Sequence, residues 1–241
     1  MMTYVIGDVH GSLKTLLDLQ AKVGLDSKLV FVGDLIDRGK YSKQIIEFVR
    51  QNNYACVLGN HEKMMIEHGE IFIKTVENIA INYIHMWINN GGKETLLSYD
   101  LIKIENGQIK YTHNQKALEQ FEDDINYLKT LPLYIEFENY INNRKVVVSH
   151  SCISNVWDKK DDLDFADEFE EYALWYRDDA LKTSEIFNIF GHTPTPFGVD
   201  LKEHYINLDT GCYINDGDHG RLSAFCIESQ EVVSIRRNKE D

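Results

Sequence analysis

Five short apolar runs in this chain end in a small residue that is followed at once by a polar side chain able to bind a metal. These runs are Val5-Ile6-Gly7-Asp8, Phe31-Val32-Gly33-Asp34, Val57-Leu58-Gly59-Asn60, Val147-Val148-Ser149-His150 and Ile189-Phe190-Gly191-His192. The strands of an α/β sheet end at a common edge where ligands bind, and small residues there let the backbone turn sharply. The pattern therefore predicts an α/β fold whose strand ends gather polar side chains in one place.

Segments with helical spacing of apolar residues separate the first three runs. One helix is predicted between Leu13 and Gly24, and a second from a cap at Ser42. Strands are predicted at residues 3–7, 29–32 and 55–58, and later at 133–137, 145–148, 186–190, 205–208, 222–227 and 232–235. The early alternation favours a layered α/β sheet with parallel pairing, and the later strands suggest a second sheet and a sandwich flanked by helices.

The segment after the third run departs from this rhythm. Apolar residues at helical spacing continue from Met64 to Ile88, and the helical stretch is expected to end at Gly91-Gly92. The apolar positions are Met64, Met65, Ile66, Ile71, Phe72, Val76, Ile79, Ala80, Tyr83, Ile84, Trp87 and Ile88.

A hairpin and another helix follow. Asn106-Gly107 suits a type I′ turn between two short strands, and a helix is expected before Pro132. We interpret residues 63–145 as a largely helical insertion that covers one side of a single domain, residues 1–241.

Charge and composition exclude several classes of partner. The chain has 25 Lys and Arg against 39 Asp and Glu, a formal net charge of −14. That balance argues against a nucleic-acid polymer and against docking on an anionic membrane, and no apolar run is long enough to span one. The cysteines lack the paired spacing of a disulfide framework or thiolate zinc site, and no signal peptide is visible, so we expect a cytoplasmic protein with reduced thiols. They are Cys56, Cys152, Cys212 and Cys226.

The candidate ligands offer oxygen and imidazole nitrogen but no thiolate. They are Asp8, His10, Asp34, Asn60, His150 and His192. This donor set suits manganese, iron, zinc or cobalt, and one carboxylate can bridge two ions about 3.5–4 Å apart. Any one of these residues alone is more often a turn former, a helix cap or a core histidine. Their repetition at five strand ends favours a metal site.

Three motifs carry a family resemblance. Gly7-Asp8-Val9-His10-Gly11, Gly33-Asp34-Leu35-Ile36-Asp37-Arg38-Gly39 and Gly59-Asn60-His61-Glu62 resemble the signatures of the phosphoprotein phosphatase (PPP) family of binuclear metallophosphoesterases. His150 and Gly191-His192-Thr193 match its later histidine motifs, and the similarity extends to Leu208-Asp209-Thr210-Gly211. The resemblance implies a calcineurin-like sandwich of two mixed β-sheets flanked by helices.

The resemblance also places the chain within the family. The pattern Trp87…Asn90-Gly91-Gly92…Thr95…Ser98-Tyr99 resembles bacterial and phage members, to which the diadenosine tetraphosphatases are closely related. The resemblance implies two bound divalent metal ions. Manganese is the first candidate for their identity, with iron, zinc and cobalt as alternatives. Asp8 and His10 would hold the first ion, Asp34 would bridge both, and Asn60, His150 and His192 would complete the second.

The remaining roles concern the substrate and the proton. The resemblance implies that His61 is the general acid and that Asp37 orients it. Arg38, Arg177 and Asn60 would bind the phosphate; Arg177 lies in Trp175-Tyr176-Arg177-Asp178. Arginine suits this role because its guanidinium forks around phosphate oxygens. The expected reaction is direct attack by a metal-bridging hydroxide, without a phosphoenzyme.

The sequence leaves the substrate open. We predict a protein serine/threonine phosphatase acting on a phosphorylated protein or a small phosphoester. The alternative is a diadenosine tetraphosphate hydrolase, which the charge of −14 and the acidic residues 158–171 disfavour because they repel a polyanion. A catalytically silent binding module is a third alternative, disfavoured because every ligand and the acid are present.

Overall fold

The computed structural model describes residues 1–75 and 85–241. Its strands are β1 (Thr3–Ile6), β2 (Lys28–Phe31), β3 (Ala55–Cys56), β4 (Ile102–Glu105), β5 (Gln108–Tyr111), β6 (Tyr134–Ile141), β7 (Arg144–Ser149), β8 (Ile186–Phe190), β9 (Asp200–Leu201), β10 (Tyr205–Asn207), β11 (Arg221–Cys226) and β12 (Val232–Arg236). Its α-helices are α1 (Leu13–Val23), α2 (Ser42–Gln51), α3 (Asn60–Thr75), α4 (His85–Trp87), α5 (Lys93–Ser98), α6 (Gln115–Leu128) and α7 (Ala166–Trp175). A π-helical turn, Ile88–Gly92, joins α4 to α5.

The first sheet has the strand order β12-β11-β1-β2-β3. Strands β1, β2 and β3 are parallel because α1 and α2 return the chain across the sheet between them. Strands β11 and β12 are antiparallel and extend the sheet beyond β1. The carboxyl ends of the three parallel strands therefore lie at one edge.

The second sheet has the order β6-β7-β8-β10-β9 and is also mixed. Strands β7, β8 and β10 are parallel, whereas β6 and β9 pair antiparallel at the two edges. Side chains from the inner faces of both sheets share one buried core. Its members include Val5, Val30, Val148, Phe187, Ile189, Ile206 and Phe225. The predicted sandwich of two mixed sheets is confirmed.

Helices cover the outer faces of the sandwich. Leu16 of α1, Ile45 of α2 and Phe121 of α6 belong to one apolar cluster with residues of the first sheet. On the second sheet, Phe169 and Ala173 of α7 pack with strand residues in a smaller cluster. Among residues 1–75 and 85–241, no helix combines the length and apolar character needed to cross a membrane.

The predicted strands are all present, β8 with its predicted bounds and the others with one or both ends shifted, and the short strand β9 was not predicted. The expected cap at Ser42 is wrong, because α2 begins at Ser42 itself and follows Tyr41. Its hydroxyl accepts a hydrogen bond from the backbone N–H of Asp37 at 3.1 Å instead. The residue therefore fixes the loop before the helix.

The helix predicted from Met64 begins earlier, at Asn60. The right-handed helical backbone that runs from His85 is interrupted at Gly91, which has φ of 112° and ψ of −1°, and α5 begins afterwards at Lys93. The expected helix end at Gly91-Gly92 is therefore confirmed. The predicted positions Val76, Ile79, Ala80, Tyr83 and Ile84 lie outside the described residues.

The hairpin between β4 and β5 is confirmed. Asn106 and Gly107 have φ of 51° and 76°, as a type I′ turn requires. The segment 63–145 also contains β6, which belongs to the second sheet. The division into one domain with an insertion stays a prediction.

Candidate metal centre and active site

Strand ends from both sheets bring the predicted ligands together. Asp8, Asp34 and Asn60 follow β1, β2 and β3, while His150 and His192 follow β7 and β8. All five are buried. The side chains of the two sheets therefore meet at one end of the sandwich, as the sequence predicts.

Asp34 lies at the centre of this group. Its Oδ1 is 3.4 Å from His150 Nε2, and its Oδ2 is 3.5 Å from His10 Nε2. Although burial alone would raise the pKa of Asp34, the surrounding histidines hold it well below its usual value. The two oxygens of one ionised carboxylate thus face two separate histidines.

Asn60, His150 and His192 form a second contact set. Asn60 Oδ1 is 2.8 Å from His150 Nε2 and 3.1 Å from His192 Nδ1, and those two nitrogens are 3.1 Å apart. The other ring nitrogens donate to backbone carbonyls, His150 Nδ1 to Val32 at 2.9 Å and His192 Nε2 to Trp175 at 3.2 Å. Because a carbonyl only accepts, the inner nitrogens carry lone pairs when the rings are neutral.

Burial keeps these imidazoles neutral. It lowers the pKa of His150, and together with the charges of His150 and Arg177 it lowers that of His192 to about 3. His10 follows the same rule: Nδ1 donates to the Ile36 carbonyl at 2.8 Å, and burial and Arg38 hold its pKa well below the usual value. Neutral histidines with inward lone pairs are the form that binds metal.

Negative charge also accumulates here. Asp8 accepts the backbone N–H of His192, and burial followed by the charges of Asp209 and Asp34 raises the pKa of Asp8 well above its usual value. Ligand atoms of Asp8, Asp34 and His150 lie within 4.8 Å of one another, as do those of His10, Asp34 and His61.

The donor chemistry fits two cations that share Asp34. Inward lone pairs from Asn60, His150 and His192 face one another and Asp34 Oδ1 without an intervening proton. A cation between such atoms would remove their mutual repulsion. The oxygen and nitrogen set suits manganese, iron, zinc or cobalt.

His61 and Asp37 form a buried pair beside the cluster. His61 Nδ1 donates to Asp37 Oδ2 at 2.7 Å, and its Nε2 lies 3.9 Å from Asp34 Oδ2. Burial would lower the pKa of His61, but the Asp34 charge and the hydrogen bond to Asp37 raise it above its usual value. A protonated His61 with Nε2 near the cluster can donate a proton there.

The two predicted arginines differ in their contacts. Arg38 Nη1 donates to His10 Nε2 at 2.8 Å, and its guanidinium lies 4.0 Å above the Tyr213 ring. Arg177 is exposed after the end of α7, and its charge contributes to the lowered pKa values of His150 and His192. The arginines therefore approach different histidines of the buried cluster.

Each arginine also lines a cavity of its own. Arg38 lines a cavity of about 590 Å³ with Tyr213 and Lys93, and Arg177 lines one of about 140 Å³ with Tyr176. Open space therefore lies beside each of the two arginines.

Several site residues have left-handed backbones, which non-glycine residues rarely adopt. The φ angles are 44° at His10, 49° at Asp34, 68° at Asp37, 67° at Arg38 and 69° at His192. Such conformations cost about 1–3 kcal/mol each and concentrate at functional sites. The surrounding hydrogen bonds hold this end of the sandwich in a geometry that the chain would not adopt alone.

Sequence reasoning assigned no role to Glu62. This buried carboxylate accepts backbone N–H groups from Asp34 and Leu35 at 2.8 Å each and from Gly59 at 3.1 Å. Burial and the Asp34 charge raise its pKa to about 8, while the N–H groups act in the opposite direction. The sequence could have singled out Glu62 only by its place in the Gly59–Glu62 motif.

Four further residues at the site had no predicted role. Trp87 and Thr95 donate to Asp37, Asp209 places a buried charge near Asp8, and Tyr213 contacts His10 and Arg38. Trp87 and Thr95 belong to the bacterial pattern and Asp209 to the 208–211 motif, so the sequence marked these residues without showing what they contact. Tyr213 gave no signal in the sequence.

Comparison with known proteins agrees with this geometry. Residues 1–219 match the family described as calcineurin-like phosphoesterase. The asymmetrical bis(5'-nucleosyl)-tetraphosphatase PrpE of Oceanobacillus iheyensis is 27% identical, covering 96% of this chain and 90% of its own. The symmetrical bis(5'-nucleosyl)-tetraphosphatase of a Marinomonas species is 25% identical, covering 97% and 96%.

A solved structure shows the same fold. The crystal structure of a protein provisionally assigned as a diadenosine tetraphosphatase has a TM-score of 0.62 at 20% identity, covering 99% of this chain and 94% of its own. The resemblance drawn from the sequence motifs is thereby confirmed.

Proposed function

The chain belongs to the calcineurin-like phosphoesterase family, and on that premise we propose that it hydrolyses dinucleoside tetraphosphates. The observation that carries the substrate class is the likeness, over nearly full length, to two relatives named as bis(5'-nucleosyl)-tetraphosphatases. This reverses the order predicted from the sequence, where the protein serine/threonine phosphatase came first.

Charge at the site is compatible with this reversal. The net charge of −14 belongs to the whole chain, whereas Arg38 contacts His10 and its cavity is lined by two cations, Arg38 and Lys93, against the single anion Glu94. A tetraphosphate bridge is polyanionic, and local cations decide its binding at short range because distant charges are screened. Separate cavities beside Arg38 and Arg177 also leave room for a substrate with two nucleoside arms.

The proposed metal roles are those that the family resemblance implies, and Asp34 is common to both groups of ligand atoms that lie within 4.8 Å of one another. Asp8, His10 and Asp34 would hold one ion, and Asp34, Asn60, His150 and His192 the other, with manganese the first candidate. When bound, two such ions polarise a phosphoryl oxygen and activate water.

The chain's own groups perform the remaining steps. Arg38 and Arg177 bind the phosphoryl oxygens and offset charge that develops on them, and Asn60 adds a further contact. His61 Nε2 gives its proton to the departing oxygen, while Asp37 holds Nδ1. The reaction is then a direct hydrolysis.

The test is a parallel assay of diadenosine tetraphosphate and a serine-phosphorylated peptide with Mn²⁺. We expect faster turnover of the dinucleotide. Product analysis then separates symmetrical cleavage to two diphosphates from asymmetrical cleavage to a triphosphate and a monophosphate. Preferential release of phosphate from the peptide would instead favour a protein serine/threonine phosphatase and overturn the proposed substrate.

We propose a cytoplasmic location on the ground of the cysteine chemistry. Cys56, Cys152, Cys212 and Cys226 are buried and free. With the spacing pattern of the sequence, this supports the prediction of a cytoplasmic protein.

A further inference from the structure

The segment 85–98 contacts the buried pair of His61 and Asp37, here called the acid pair, through the Asp37 carboxylate. The carboxylate of Asp37 is fully buried and accepts from three different side chains. His61 Nδ1 donates to Oδ2 at 2.7 Å, Trp87 Nε1 lies 3.0 Å from Oδ2 and 3.2 Å from Oδ1, and Thr95 Oγ1 donates to Oδ1 at 2.6 Å. Two of the three donors therefore come from the predicted insertion, residues 63–145.

Thr95 holds both the side chain and the backbone of Asp37. An ionised carboxylate only accepts, so the single Thr95 hydroxyl hydrogen points to Asp37 Oδ1. Its oxygen remains free to accept, and it lies 3.1 Å from the backbone nitrogen of Asp37 and 2.9 Å from Ser42 Oγ. The left-handed backbone of Asp37 is thus fixed by the same hydroxyl that orients its carboxylate.

Two adjacent glycines allow the segment to approach this closely. A Cβ on Gly92 would lie 2.4 Å from the Trp87 ring, and one on Gly91 would lie 2.5 Å from the backbone nitrogen of Arg38. The Gly91 carbonyl also accepts the Arg38 N–H at 3.2 Å. The segment therefore packs against Asp37 and Arg38 with no room for a side chain between.

We propose that Trp87 and Thr95 are positioning residues for the proton donor His61, acting through Asp37. The proposal rests on the function proposed above, in which His61 is the general acid. Without the indole N–H and the threonine hydroxyl, the Asp37 carboxylate can rotate, and Oδ2 no longer holds His61 Nδ1 in one orientation. Nε2 then meets the departing oxygen less often, while the metal ligands are unchanged.

The test compares two aryl phosphates that differ in their need for a proton. Phenolate leaves poorly unless it is protonated, whereas p-nitrophenolate leaves readily without a proton. In Thr95→Val and Trp87→Phe we expect kcat for phenyl phosphate to fall about 10- to 100-fold and kcat for p-nitrophenyl phosphate to fall less than about 3-fold, both with Mn²⁺. Metal content should match that of the parent protein.

Two further variants separate positioning from general structural damage. Thr95→Ser keeps the hydroxyl and should restore the ratio of the two rates to that of the parent. Tyr99→Phe removes another buried hydroxyl of the same region, which donates to Asp124 Oδ2 at 2.7 Å away from the acid pair. It should leave the ratio unchanged, and thermal unfolding confirms which variants are folded.

Equal losses on both substrates, or no recovery in Thr95→Ser, would overturn the proposal. If Thr95→Val does not fold, Trp87→Phe decides the matter alone. His61→Asn is measured in parallel. If kcat for phenyl phosphate falls selectively in His61→Asn but in neither positioning variant, only the positioning proposal is refuted. If His61→Asn shows no selective loss on phenyl phosphate, the acid role of His61 is itself refuted. Aryl phosphate turnover without diadenosine tetraphosphate turnover would refute only the proposed substrate.

Discussion

Gly191 lies so close to Asp8 that a Cβ on it would be 1.9 Å from the Asp8 Oδ1 atom. The same Cβ would be 2.9 Å from Cγ2 of Val32, so it has no alternative space. The glycine before His192 is therefore required by the position of a carboxylate from the other sheet. This explains in physical terms why a small residue ends this strand.

Gly191→Ala should displace Asp8 and weaken metal binding. Loss of a supporting contact at a metal site typically costs about 10- to 100-fold in affinity or activity, and we expect a loss in this range. Isothermal titration with Mn²⁺ and turnover of p-nitrophenyl phosphate measure it. Gly217→Ala is the matched control, because a Cβ there meets nothing within 4 Å. Unchanged Mn²⁺ affinity in Gly191→Ala would show that Asp8 is not a ligand.

Asp34→Asn should reduce metal content at both positions together. The two oxygens face His150 and His10 separately, and an amide offers only one oxygen and no charge. Elemental analysis after Mn²⁺ loading should show a loss of more than one ion per chain. Asp158→Asn, an exposed carboxylate, serves as the control. Loss of a single ion would argue against a shared ligand.

His61→Asn should separate proton transfer from metal binding. General acid catalysis typically contributes about 10²–10⁴-fold, so we expect kcat for phenyl phosphate to fall by that order. Mn²⁺ content should be preserved. His61 also lies within ligand distance of His10 and Asp34, and depletion of metal in the variant would therefore reassign it as a ligand.

Asp37→Asn should move the alkaline limb of the pH–kcat profile to lower pH. Burial lowers the pKa of His61, and the charges of Asp34 and Asp37 raise it above the usual value, so the acid stays protonated until the pH passes that raised pKa. The variant removes one of the raising charges, and His61 then loses its proton at lower pH. A limb that stays in place or moves to higher pH would contradict this assignment.

Glu62→Gln should destabilise the fold. The carboxylate accepts N–H groups of Asp34, Leu35 and Gly59, and an amide cannot serve all of them without turning its own N–H₂ toward a donor. We expect the free energy of unfolding to fall by about 2 kcal/mol, measured by urea denaturation above pH 8, where Glu62 is ionised. Glu67→Gln, exposed on the same helix, should change it by less than about 0.5 kcal/mol. Equal stability of the two variants would contradict the role given to Glu62.

The metal-facing residues could be predicted because their signal is local. Asp8, Asp34, Asn60, His150 and His192 each follow a strand, and the strand ends of the sandwich converge whatever the intervening loops do. Their roles as ligands stay predictions until an ion is observed. The strands themselves were predictable for the same reason, since each is a short buried apolar run.

The supporting contacts could not be predicted because they depend on tertiary packing. Trp87 and Thr95 are 50 and 58 residues from Asp37, and no spacing rule joins an indole or a threonine hydroxyl to so distant a carboxylate. The helix end at Gly91-Gly92 could be predicted, since these glycines are a usual stop signal and Gly91 has a left-handed backbone. The packing of Gly91 against Arg38 could not, because it joins residues that are distant in sequence.

In the proposed function, two metal ions share one carboxylate, Asp34. An anomalous-difference map from crystals of the Mn²⁺-loaded protein is the decisive measurement. We expect two peaks per chain on either side of Asp34, one toward His10 and one toward His150. A single peak, or two peaks of which one lies beyond reach of Asp34, would contradict this expectation.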